Sequence, residues 1–291
     1  MTFGGFHGIR KNLENELSMR TYSRVLAVAG AVVGVISLAL VPVASQTAST
    51  PYRAPRTADG KPNLNGIWQA VNTANWDIQD HAARMGPVAA LGAAFSIPAG
   101  LGVVEGNDIP YQPSAAAKKK DNGEKWLTLD PEIKCYMPGI PRATYMPYPF
   151  QIVQTPANIL MAYEFASASR IIRMNTTEKA PTDSWMGWSR GRWEGEALVV
   201  DVTDLNEQTW FDRAGNFHSD ALHVVERFTR TGPDVLTYEA TIEDPKVFTR
   251  PWKMSMPLYR RVEKNAQLLE YKCVEFAEEL MYGSLRKKPS R

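Results

Sequence analysis

Between residues 221 and 260 the chain alternates between apolar and polar positions. Leu222, Val224, Glu226 and Phe228 fall on one face of an extended segment, with His223, Val225, Arg227 and Thr229 on the other. Leu236, Tyr238, Ala240 and Ile242 oppose Thr237, Glu239 and Thr241 in the next segment, and Trp252, Met254, Met256, Leu258 and Arg260 share a face in a third. A period of two, held over three successive segments, restricts this region to strands with one face turned to a core. Upstream, residues 197–203 form an apolar run, and residues 151–155, 159–165 and 170–174 are strand-like between turn-forming stretches. Residues 267–276 read as a last strand and 277–285 as a short helical tail. Eight to ten short strands with few helices predict an all-β barrel or sandwich. No fixed-period repeat is present, which disfavours a propeller or solenoid.

Residues 71–149 break this pattern. They hold runs of small apolar residues, the turn pairs Asp130-Pro131 and Pro138-Gly139, and further prolines at 141, 147 and 149. A short helix is expected over 75–85, and another capped by Ser114 and running through Lys120, where alanine and lysine favour helix. So long an irregular stretch is uncommon inside a compact domain, and it reads as an arm laid over the sheet.

The N-terminal 45 residues have a different character. Residues 25–43 are an uncharged, largely apolar run preceded by Arg20 and Arg24 and followed by the small residues Ala44 and Ser45. This order predicts a secretory signal cleaved near Ser45, with Met19 as a plausible start. The alternative is an uncleaved anchor in the inner membrane, because 19 apolar residues just span a bilayer. Residues 46–65 read as a polar linker, and 66–291 as a single β domain. Four of the 33 basic and two of the 31 acidic residues lie before position 46, so the remainder is formally neutral. A nucleic-acid binder carries a clear basic excess, and none is expected here. In an oxidising compartment, periplasmic or extracellular, Cys135 and Cys273 are expected to form a disulfide joining irregular chain to the sheet.

Gly66-Ile67-Trp68 before the first strand, together with Arg260-Arg261 late in the chain, resembles the lipocalin and calycin barrels. There a Gly-x-Trp tryptophan closes one barrel end beneath an arginine from a late strand. Gly191-Arg192-Trp193 repeats the pattern, so either copy could hold that role. Most of the chain after residue 45 is also similar to a family of uncharacterised exported bacterial proteins. The blocks that carry this likeness are 130–142 with its cysteine, Trp193-Glu194-Gly195-Glu196-Ala197-Leu198-Val199-Val200, and Phe217-His218-Ser219-Asp220-Ala221-Leu222 running to Glu226-Arg227-Phe228. Asp244-Pro245 and Thr249-Arg250-Pro251-Trp252 complete the set. The first resemblance implies a lipocalin-like antiparallel barrel; the second implies export and no particular activity.

Glu226 is the most informative charge, because its face is otherwise apolar. An inward carboxylate must be paired, hydrogen-bonded or neutral. It could serve as a general acid or base, with His218 and Asp212 in the preceding loop. It could instead be a structural partner of an inward arginine such as Arg260, or of the Tyr238 hydroxyl. His218 and Glu226 lie too far apart on an extended strand to pair directly, whereas His218 could meet Asp212 within the loop. Tyr238, Trp210, Trp188 and Arg213 are the candidate ligand contacts, with the tryptophans supplying flat apolar walls. No Gly-x-Ser-x-Gly elbow is present, so Ser219 is not read as a nucleophile. A zinc site would need His81, His218 and His223 with a carboxylate, yet His223 and Glu226 face opposite ways and no His-Glu-x-x-His spacing occurs. Neither metal nor cofactor is expected. Three readings follow: a carrier of a small, largely apolar or planar ligand in the barrel, a cofactor-independent acid–base enzyme (hydratase, isomerase or hydrolase) using the same cavity, and a structural or interaction component of the cell envelope.

Overall fold

The computed structural model describes residues 52–285. The apolar segment 25–43 and the expected cleavage near Ser45 lie outside the described residues. Nine strands close into a barrel in sequence order: β1 (Gly66–Ala70), β2 (Phe150–Gln154), β3 (Asn158–Tyr163), β4 (Ser169–Met174), β5 (Trp188–Glu194), β6 (Ala197–Thr203), β7 (His223–Gly232), β8 (Val235–Glu243) and β9 (Trp252–Arg260). All neighbours are antiparallel except β4 and β5, which run parallel. β9 returns to β1, with Trp68 opposite Arg260 and Ala70 opposite Leu258, so neither strand is left as an edge.

Alternation positions the side chains as the sequence implies. β7 and β8 alternate half-buried and buried residues along most of their length, and Val224, Glu226, Phe228, Tyr238 and Ile242 are fully buried. Trp68 plugs one end. It is wholly buried, its indole N–H donates to Leu64 O at 2.9 Å, and Gly66 lies against Arg260. A β-carbon at Gly66 would sit 3.2 Å from Arg260 Nε, on a backbone with φ of +145°. The first Gly-x-Trp copy therefore holds the plug position, while Trp193 is only partly buried on β5. The arginine over the Trp68 ring is Arg230, 5.8 Å from its centroid and bonded to the carbonyls of Asn63 and Pro233. This replaces the expected Arg260, which is exposed at the last position of β9, beside Gly66.

Residues 52–65 are not a free linker. Leu64 is fully buried, Ala54 nearly so, and Arg56 meets Glu196 at 2.6 Å. The arm 71–149 covers the opposite end, with bridges from Val104 to Met254 and from Tyr111 to Phe248. It contains α1 (Pro113–Glu124), α2 (Trp126–Leu129) and α3 (Arg142–Tyr145). α1 begins with Pro113 and has Gln112 rather than Ser114 at its cap. The helix expected over 75–85 is a set of turns, fixed by Asp212 accepting from Ile78 N at 2.9 Å. The strand expected over 267–276 does not form, because a closed barrel offers it no free edge. That segment is held by the Cys135–Cys273 disulfide, with Cα atoms 5.7 Å apart, and leads to α4 (Ala277–Tyr282). Among the described residues no helix is long and apolar enough to cross a membrane.

Candidate functional site

Glu226 lies midway along β7, opposite Val200 of β6 and Ala240 of β8, with its carboxylate in the barrel interior. Its cation is Arg170 of β4, whose Nη1 donates to Oε2 at 2.7 Å and whose Nη2 donates to Oε1 at 3.1 Å. The Tyr238 hydroxyl donates to Oε1 at 2.8 Å. Of the structural partners considered from the sequence, the Tyr238 hydroxyl is thus present, whereas the inward arginine is Arg170 and not Arg260. Arg170 was missed because β4 is only six residues long and 56 residues away. The signal was its spacing of two from Ile172, which is fully buried on the same face. Burial lowers the Arg170 pKa, but the adjacent Glu226 carboxylate outweighs it and keeps the guanidinium charged. Burial and the same carboxylate raise the Tyr238 pKa, so its hydroxyl remains a donor.

The remaining polar groups beside this pair are not fully satisfied. Arg170 Nε and Thr144 Oγ1, both buried, have no hydrogen-bond partner. The Tyr163 hydroxyl donates to the sulfur of Met161 at 3.4 Å, a weak acceptor; burial raises its pKa, and the adjacent Arg170 and Thr144 side chains oppose that rise. Thr144 belongs to α3, which packs on β1, and Tyr163 opposes Phe150 at the arm-covered end. A guanidinium N–H and two hydroxyls thus form a polar spot between the barrel midpoint and that end. Phe150, Met161 and Phe228 are its apolar neighbours, all fully buried.

His218 lies in a different network. Its Nδ1 is 2.8 Å from the Ser219 carbonyl and must donate there, so Nε2 of the neutral ring accepts from the Thr209 hydroxyl at 2.6 Å. Burial lowers the pKa of the ring, and both residues are only 2% exposed. Asp212 does not meet His218. It accepts from Ile78 N, from Asn216 N at 3.1 Å and from Asn216 Nδ2 at 2.6 Å. Burial, reinforced by Asp77, pushes its carboxyl up to about 7. Asp212, His218 and Glu226 therefore sit in three separate networks rather than one acid–base constellation.

The loop 204–220 joins the barrel to the arm. Arg213 forks onto Glu132 at 2.7 and 2.9 Å, with Trp76 and Trp126 rings 4.5 and 4.7 Å from its guanidinium. Arg142 makes paired bonds to Asp130 at 2.7 and 2.9 Å and also reaches Glu132. Trp210 is buried and bridges to Phe217. Of the four expected ligand contacts, Tyr238, Trp210 and Arg213 are thus committed to internal contacts. Trp188 is partly exposed, with Arg173 stacked 3.7 Å from its ring. The chain matches no family model and no curated protein sequence.

Proposed function

We propose that the protein is a carrier for a small, largely apolar ligand, held in the barrel beneath the arm. The observation that supports this most is a trio of buried polar groups: Arg170 Nε and Thr144 Oγ1, which lack a hydrogen-bond partner, and the Tyr163 hydroxyl, which donates to the weak acceptor Met161 sulfur. Buried polar groups are nearly always paired, so such a trio amid aromatic and thioether side chains suits one polar atom of a ligand, such as a carbonyl oxygen. The Arg170–Glu226 pair would fix the guanidinium so that Nε points at that atom. The acid–base reading has less support, since its three candidate groups are separately bonded and Glu226 is clamped on both oxygens. The disulfide and the N-terminal pattern support action outside the cytoplasm.

Native mass spectrometry of protein purified without denaturation should detect a small molecule bound at one per chain. Thr144→Val and Tyr163→Phe remove a hydroxyl while largely preserving shape, so each should weaken that ligand about tenfold, the scale of one buried hydrogen bond. A mass equal to the bare chain, with both variants more stable than the parent, would show that the spot is only a solvated corner of the core.

A further inference from the structure

The parallel pairing of β4 and β5 creates a second feature, on the outside of the barrel. Parallel neighbours cannot be joined by a tight hairpin, so residues 175–187 must loop back across the sheet. That loop is fastened at its start. Asn175, in left-handed backbone with φ of +54°, donates its N–H to Gly191 O at 2.8 Å. It is fastened again where the Trp188 indole donates to Glu178 O at 3.0 Å. The close approach needs Gly191, since a β-carbon there would lie 2.6 Å from both Ile172 and Met174 side chains. The result is an open groove of about 360 Å³, lined by Asn175, Thr176, Thr177, Arg190, Arg192 and Asp201.

The donors in this groove exceed what the protein uses. Arg190 meets Asp201 through Nη2 at 2.7 Å, leaving most of its guanidinium N–H groups available. Arg192 contacts Glu194 through Nε and Nη2 and is half exposed. Thr176 Oγ1 accepts from Glu178 N at 3.1 Å, so its own proton is free to be donated outward. Arg173 lies directly across from Arg190 in the β4–β5 register, adding a third positive charge to this face. The opposing carboxylates are already engaged. The second oxygen of Asp201 is 3.0 Å from His223 Nε2, and Glu194 also holds Arg227 at 2.7 Å. Two guanidiniums, an amide and two hydroxyls around an open groove, with Arg173 stacked on Trp188 beside it, match a small oxyanion, since the planar arginine fork pairs with carboxylate or phosphate oxygens.

We propose that this groove is a binding site for the oxyanion end, phosphate or carboxylate, of a small polar solute. The site is independent of the barrel interior. Arg190 and Arg192 would grip the anion, and Thr176 and Asn175 would complete its hydrogen bonds.

Amide NMR titrations of the intact protein with inorganic phosphate and with citrate, at ionic strength held constant with sodium chloride, test it. Resonances of residues 175–177 and 190–192 should shift saturably with at least one probe, and which one responds separates phosphate from carboxylate recognition. Arg192→Gln and Thr176→Val alter exposed or half-buried side chains, and their spectra should match the parent elsewhere. Each should weaken binding about tenfold, as expected for losing a charge-assisted hydrogen bond. Shifts that are linear, that chloride alone reproduces, or that both variants retain at full affinity would overturn the proposal.

Discussion

At the scale of single residues, Glu226 and Arg170 carry the largest expected effects. Glu226→Gln preserves shape but leaves Arg170 charged and without its carboxylate in a dry interior. Denaturant unfolding should register a loss of about 3–5 kcal/mol. Replacing both by apolar residues of similar volume should recover much of this, because two desolvation costs vanish together. A single variant within 1 kcal/mol of the parent would mean the ion pair is not what fills the barrel. Asp212 gives a pH signature of definite sign. Its folded pKa of about 7 exceeds the ordinary 3.8, so the folded state holds the extra proton between these values. Its contribution is full below about pH 4 and is lost as pH rises through 7. Glu132 behaves oppositely. Burial works against its charge, but Arg213 and Arg142 hold its pKa at about 2, so its contribution is lost as pH falls from about 4.5 through 2. Stability measured against pH should show the falling component in the parent and not in Asp212→Asn; parallel curves would exclude Asp212 as its source. The inward carboxylate was legible because one charge interrupted an apolar stripe. Its partner was not, since nothing local says which of the inward positions on eight other strands will meet it across a barrel.

At the scale of elements, strands that alternate over seven or more residues were readable from the chain, and β7, β8 and β9 fall where the pattern put them. Residues 267–276 show the limit of that logic. Leu269, Tyr271 and Cys273 share a spacing of two, yet strand formation also needs a free neighbour, and the β1–β9 pairing removes it. A fold-wide property thus overrode a local pattern. What fixes this segment instead is covalent. The disulfide closes a loop with a sequence separation of 138 residues, for which chain entropy predicts about 4–5 kcal/mol of stabilisation. In the Cys135→Ser/Cys273→Ser double variant the barrel should still form, with protease cutting first between 261 and 285. The contacts left there include Phe276 N to Ile133 O, Leu269 N to Glu164, Glu278 to Arg213 and the Tyr271 ring against Tyr148 and Phe165. An unchanged cleavage map would show that these contacts suffice. The arm was recognisable as irregular chain, but the roles of Asp212 and Arg213 in securing it were not, since their partners at 78 and 132 lie in stretches without periodicity.

At the scale of the whole molecule, the closed ring of strands fixes which ends can be open. Trp68 with Arg230 seals one, and the arm with loop 204–220 covers the other. Any route to the interior therefore passes under the arm, and a ligand that binds there should slow amide exchange in β2 and β3 near Phe150 and Tyr163 more than in β7 near Arg230. Uniform slowing would place the ligand elsewhere. The same ring has a consequence in time. β1 occupies residues 66–70, yet one of its two neighbours is the last strand, which ends at Arg260. A chain truncated after Pro251 lacks that neighbour and should show no cooperative thermal transition; a sharp melt would mean eight strands suffice. During synthesis, then, the ring of strands cannot close before residue 260 has been made, and until that point the barrel stays open.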